Sequence, residues 1–235
     1  MGRFHAISFD LDDTFWPSRP VLEQAEAVFY RELERRAPRV VARYGPEDIR
    51  QQRLALLRKR PELRHHISEW RRLSLVEALQ QCDYGTNSEA IAEAVFNDFL
   101  EARQQISLYA HVESTLQALS QRYVLVSLTN GNADLSLQPC SRFFKACLKA
   151  EDIGISKPDT AAFEAACEAA GYRPGEVLHI GDHPHDDIHG ALNAGMRAVQ
   201  ARMPGIERPH HEGAEGVFDD WRQLPGLLEQ LQQSR

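Results

Sequence analysis

FHAISFDLDDTFW, residues 4–16, is the stretch on which the fold turns. Its first six residues form a short apolar run that stops abruptly at acids, the pattern of a buried strand emerging into a polar loop. Asp10, Asp12 and Asp13 therefore stand at a strand's carboxyl end, which is where open α/β sheets gather their ligands. Phe15 and Trp16 come next. Packing against a core is the simpler reading of these two rings, and contact with a planar group of a substrate is the sharper one.

Outward from this stretch the pattern changes to helical spacing, from Val21 to about Leu108. Leu22, Ala25, Phe29 and Leu33 recur first, then Ile67, Trp70, Leu73 and Val76, then Ile91, Val95 and Phe99. Pro38, Pro46, Pro61 and the YGTNSE segment divide the block into four expected helices. Thr86 followed by Glu89 fits a capping box opening the last of them. After about His111 the chain alternates: a helix around Leu116 and Leu119, the strand YVLVSL, a short apolar segment near Cys147, a helix over 161–170 closed by Gly171, the strand EVLHI, a helix over 188–194 closed by Gly195, and the strand RAVQA. Strands alternating with helices imply a parallel sheet covered on both faces. The expected architecture is one discontinuous α/β domain, residues 1–16 and 110–235, interrupted by an all-helical insertion over 17–109.

The bulk properties agree with a folded globular chain. Of 235 residues, 43% are apolar and 26% charged, which leaves no room for wholesale disorder. A formal charge of −7 with dispersed basic residues argues against a nucleic-acid platform. Arginines and lysines do crowd between Arg50 and Arg72, interleaved with leucines, and read as a solvated helix face. Cys82, Cys140, Cys147 and Cys167 are widely separated with no CxxC pair, so they are expected to be reduced and mostly buried. No early apolar run approaches the roughly 20 residues of a membrane span, and no secretion-signal layout opens the chain, which makes the cytoplasm the expected address.

Each expected strand is followed by polar residues that fit phosphoryl chemistry: DLDDT after the first, TNGN after the second, GDHPHDD after the fourth. Converging Asp10, Asp12, Asp182 and Asp187 would repel one another unless a cation joined them. Magnesium is the natural one, because it takes oxygen ligands from carboxylates and completes its octahedron with water and phosphate. Thr129, with the backbone amides of Asn130 and Gly131, offers hydrogen bonds to phosphoryl oxygens, and Lys157 offers a point charge. Asp13 and Asp186 read as loop or cap residues. His183, His185 and His189 read as solvent-facing rather than as a zinc site, since they lack other soft ligands.

FDLDDT, SLTNG, the pair Lys157–Pro158 and GDHPHDD together resemble the four motifs of the haloacid dehalogenase-like superfamily, in its branch with a helical cap inserted after the first motif. The resemblance implies a Rossmann-like core, a cap that closes over it, and a magnesium-dependent hydrolase with an aspartyl-phosphate intermediate. Carried over residue by residue, it makes Asp10 the nucleophile and Asp12 the general acid and base. Asp10, Asp12, Asp182 and Asp187 become the metal residues, and Thr129, Asn130 and Lys157 hold the phosphoryl group. Asp12 favours phosphomonoesters, because related dehalogenases lack an acid at that place. The implied substrate is a small cytosolic phosphomonoester with flavin mononucleotide as first candidate, and neither a nucleic acid nor a membrane is an expected partner. A sugar phosphomutase and a non-catalytic phosphate-binding protein remain as alternatives, and the oligomeric state stays open.

Overall fold

The structure, a computed structural model, describes residues 3–233 and divides into two compact units, Arg19–Ile106 and the combination of Met1–Ser18 with Ser107–Arg235. The first strand, β1 (Ala6–Phe9), is buried along its whole length. The helical unit follows with α1 (Ser18–Arg36), α2 (Pro38–Arg43), α3 (Pro46–Lys59), α4 (Ile67–Gln80) and α5 (Ser88–Arg103). Five helices stand where four were expected. The addition is α2, a short piece between Pro38 and Pro46: Pro38 takes the first helical turn, where its missing N–H costs nothing. Thr86 does not cap α5. A tight turn over Gly85–Asn87 leads directly into that helix, and Asn87 at its start makes no side-chain cap.

Val21, Ala25, Phe29 and Leu33 place one buried stripe on α1. Ala25, Phe29 and Leu33 of this stripe pack with Leu75 and Leu79 of α4 and with Val95, Phe96 and Phe99 of α5. The rings of Phe96 and Phe99 stack at 5.6 Å, and Phe29 meets Phe99 edge-on at 6.3 Å. The basic stretch is only partly the solvated face that its composition suggests. Arg50, Arg58, Arg60 and Arg64 are exposed, but Arg53 and Arg71 are half-buried.

In the sheet unit the chain continues through α6 (Val112–Ser120), β2 (Val124–Thr129), β3 (Ala146–Lys149), α7 (Ala150–Ile153), α8 (Thr160–Ala170), β4 (Val177–Gly181), α9 (Gly190–Asn193), β5 (Arg197–Ala201), β6 (Val217–Phe218) and α10 (Leu224–Gln233). Six parallel strands take the order β3-β2-β1-β4-β5-β6. Side chains of β2, α8 and α9 share one core through Val126, Leu128, Phe163, Ala166 and Ala191. Asp159 caps α8 through a 3.1 Å bond from the Ala161 amide, and Gly171 closes it at φ +85°. The strand order reverses at β1, whose neighbours are β2 on one side and β4 on the other. A crevice therefore opens beyond the carboxyl ends of these three strands, and each of them ends in a polar motif.

Candidate active site

Asp10 ends β1, and its own amide extends the ladder by donating to the Ile180 carbonyl at 2.8 Å. Its carboxylate accepts from Lys157 Nζ at 2.5 Å on Oδ1 and from Thr14 Oγ1 at 3.2 Å on Oδ2. Lys157 Nζ also donates to Asp187 Oδ1 at 2.6 Å, so one buried ammonium bridges the first and fourth motifs. Asn130 secures that lysine from behind. Its side chain accepts from the Lys157 amide and donates to the Lys157 carbonyl, both at 2.9 Å, beside a cis Lys157–Pro158 bond.

Asp187 is held on three sides. Besides the lysine it accepts from the His183 amide at 2.8 Å and meets His179 Nε2 at 3.2 Å. His179 is fully buried, and its Nδ1 lies 3.1 Å from Ser8 Oγ. Burial lowers its pKa, so the ring is neutral, with Nε2–H donated to Asp187 and the Ser8 hydroxyl donated to Nδ1. Asp187 reaches this place only because residue 181 is glycine: a Cβ there would lie 2.3 Å from Asp187 Cγ. Asp182 begins the loop after β4 and accepts from Arg208 Nε at 2.9 Å.

The electrostatics follow from burial. Burial pushes the Asp10 carboxyl well above the usual range against the pull of Lys157, with Asp187 and Asp182 adding repulsion. Asp182 is pushed up to about 7 by burial and by Asp187, although Arg208 opposes the shift. Burial would raise Asp187 too, but Lys157 and His179 outweigh it and hold that acid well below its ordinary value. Lys157, which burial alone would discharge, is kept charged by Asp10 and Asp187. Ligand oxygens of Asp10, Asp182 and Asp187 lie within 4.8 Å of one another. A magnesium octahedron is about 4 Å across, and three hard oxygen donors with surplus negative charge fit that ion.

The other expected residues divide. Asp12 is partly buried, and its Oδ1 accepts from the Trp16 indole at 2.8 Å. Thr129 is buried at the end of β2, but its Oγ1 accepts the Gly131 amide at 3.0 Å, so that amide is not open to a phosphate. Asp13 accepts from the Ser18 amide at 2.8 Å and acts as a cap. Phe15 and Trp16 are fully buried. Phe15 packs against Phe9, Phe144 and Trp221, so neither ring is a stacking surface for a ligand. Trp70 and Tyr84 are engaged within the helical unit, Trp70 donating to the Arg53 carbonyl at 2.6 Å and Tyr84 lying under Arg39. His183 accepts the Asp186 amide on Nδ1 at 3.0 Å, and His185 and His189 are exposed.

His179, Gln200 and Arg208 were missed in the sequence. His179 had a signal, a histidine inside the apolar run EVLHI. Gln200 is fully buried and ties the Asp182 carbonyl to the Pro209 carbonyl and the His211 amide, at 3.1, 2.9 and 3.0 Å. Arg208 lies in the irregular segment that this glutamine pins, where no periodicity announces it.

The haloacid dehalogenase-like hydrolase family matches residues 4–195. The chain belongs to that family. Among curated relatives of this hydrolase, 5-amino-6-(5-phospho-D-ribitylamino)uracil phosphatase YigB of Escherichia coli (strain K12) is 34% identical over 86% of the chain and 85% of the relative. N-acylneuraminate-9-phosphatase of Rattus norvegicus is 26% identical over 98% and 96%. A solved structure of 2-haloacid dehalogenase from Pseudomonas syringae pv. Tomato DC3000 superposes with a TM-score of 0.91 at 34% identity, covering 97% of this chain and 99% of that one.

Proposed function

We propose that this hydrolase is a magnesium-dependent phosphatase of small phosphomonoesters that works through an aspartyl phosphate on Asp10. The observation that carries the reading is the Asp10 carboxylate, fixed by Lys157 and Thr14 within a buried triad of acids, with a second acid two residues on at Asp12. Asp10, the Asp12 backbone carbonyl, Asp182 and Asp187 would hold the magnesium, Asp187 directly or through water. When bound, the ion neutralises the acids and the phosphoryl oxygens so that an anionic nucleophile can approach an anionic substrate.

The protein's own residues perform the rest. An Asp10 oxygen attacks phosphorus as the ester P–O bond breaks, and Asp12 gives its proton to the departing alkoxide. Asp12, now a carboxylate, takes a proton from water. The water oxygen bonds to phosphorus, the Asp10–phosphorus bond breaks, and phosphate and free Asp10 are restored. Lys157 and Thr129 hold phosphoryl oxygens, and Asn130 acts behind Lys157 by fixing its backbone. The relative's named substrate and flavin mononucleotide share a phosphorylated ribityl chain on a heterocycle, so flavin mononucleotide is the first candidate. Residues 17–109 serve as the cap, and a small cytosolic ester is the expected substrate class.

A second reading, dehalogenation, is favoured by the Pseudomonas syringae structure. It would use the same aspartate against carbon but needs neither Asp12 nor a cation. The test is release of phosphate from flavin, nucleotide and sugar phosphates, with magnesium and then with chelator, beside release of chloride from a 2-chloro acid. Phosphate release that chelator abolishes and that Asp10→Asn lowers by roughly 10^4-fold or more is the expected result. Chloride release without phosphate release would overturn it.

A further inference from the structure

Arg208 stands at the edge of the acid triad, outside all four motifs, and its guanidinium joins two of the loops that leave the sheet. Its Nε donates to Asp182 Oδ2 at 2.9 Å, and Nη2 lies 3.7 Å from Asp13 Oδ2. The two acids are largely covered, with 5% and 13% of their side chains exposed, whereas Arg208 keeps 35% and so also meets solvent. It interacts electrostatically with Asp187 as well. One guanidinium thus faces an acid of the first motif and two acids of the fourth.

The segment between β5 and β6 that carries Arg208 is tied down without it. The Gln200 amide donates to the Gly216 carbonyl at 3.0 Å and the Arg202 amide to the Phe218 carbonyl at 2.8 Å, so both ends of the segment join the sheet. Met203 is buried and opens a turn, its carbonyl accepting the Ile206 amide at 3.1 Å across Gly205 at φ +84°. The buried Gln200 side chain then links the Asp182 carbonyl to the Pro209 carbonyl and the His211 amide. The backbones that carry both members of the ion pair are therefore fixed by one glutamine. An ion pair with a third of its cation in water adds little stability, so what Arg208 brings to the site is chiefly its charge.

We propose that Arg208 is a fixed counter-cation of the magnesium centre, sharing the Asp182 carboxylate with the ion and so setting how tightly the ion is held. The inference rests on the magnesium-dependent reading of this site. Asp10, Asp182 and Asp187 offer three negative charges, and Lys157 and Arg208 offset two of them. One is left for the ion; without Arg208 two would be. Arginine keeps its proton at any working pH, so the offset is permanent. Because Coulomb energy scales with the product of the charges, a divalent ion at this carboxylate feels the guanidinium twice as strongly as a monovalent one. Arg208 engages one oxygen of Asp182 and leaves the other for the ion, and Asp13 holds the far end of the guanidinium at the site. The result is a metal that exchanges more readily than the three acids alone would allow.

Two variants test this: Arg208→Gln removes the charge and keeps an amide donor, and Arg208→Lys keeps the charge. Magnesium is titrated into each whole chain by calorimetry without substrate, at about pH 9 so that protons compete little for the acids. Arg208→Gln should bind the ion roughly tenfold more tightly or better, and Arg208→Lys within about threefold of the unaltered protein. The rise in Tm on adding magnesium should follow the same order, largest in Arg208→Gln. Equal or weaker binding in Arg208→Gln overturns the counter-cation, and so does equal tightening in both variants. Turnover does not enter these measurements. If the unaltered protein binds magnesium but releases phosphate from nothing, the phosphatase reading fails alone and the comparison of affinities still decides. If neither the unaltered protein nor Arg208→Gln binds magnesium, the magnesium reading and the counter-cation fall together.

Discussion

The sheet unit buries three carboxylates around one lysine, whereas the helical unit half-buries two guanidiniums around one carboxylate. Asp10, Asp182 and Asp187 exceed what Lys157 can neutralise, even with Arg208 on Asp182. Arg53 and Arg71 exceed what Glu26 can. Elsewhere the helical unit matches its charges on the surface, as in Arg50 with Glu47 and Arg60 with Glu62, where water would solvate them anyway. The contrast shows that the number of ion pairs says little. What marks a site is the sign left over where water is excluded, which is negative at the sheet edge and calls for a cation.

The largest test of this contrast is Gly181→Ala, which adds a methyl in the space of the Asp187 carboxyl. Displacing Asp187 removes one anchor of Lys157 and shifts Asp10. Turnover should fall by about 10²-fold, and stability by roughly 1–3 kcal/mol, measured by steady-state kinetics and urea denaturation. If both are retained, the packing of Asp187 against residue 181 does not organise the site.

A smaller effect concerns pH. Asp10 and Asp182 have folded pKa values above the ordinary one, so the stability they contribute as protonated groups is present at low pH and lost as pH rises through the folded value, about 7 for Asp182. Asp187 has the opposite sign: its contribution is present at neutral pH and lost only as pH falls below about 4. Between about pH 5 and pH 8 the first pair therefore governs. In chelator, Tm should decline over that range, and the rise in Tm on adding magnesium should be larger at the upper end. An increment independent of pH would contradict the assignment of these acids to the ion.

The smallest expected effect lies in the helical unit. Arg36 and Asp98 pair at 2.7 Å with about a third of each side chain exposed. A double-mutant cycle to alanine should return a coupling of about 1 kcal/mol or less. A coupling of several kcal/mol would mean that the ion pairs of this unit are structural.

Much of this was legible in the chain itself. The runs AISF, VLVSL, VLHI and RAVQA announced parallel strands by being mostly apolar without strict alternation, as strands covered on both faces require. The acids stood at their ends for the same local reason, since a chain leaving a sheet edge turns polar. Thus Asp10, Asp12, Asp182 and Asp187, Thr129, Asn130 and Lys157 were legible as candidates for phosphoryl chemistry. Tertiary structure alone decided what each of them touches. Asn130 turned out to serve the Lys157 backbone, and Thr129 the Gly131 amide. His179 and Gln200 entered as polar residues inside buried strands, and Arg208 from an irregular segment. The reason is physical: apolar patterning records which face of an element is dry, and therefore shows in sequence. A hydrogen bond between residues 8 and 179 depends on where distant segments meet, which no local pattern encodes.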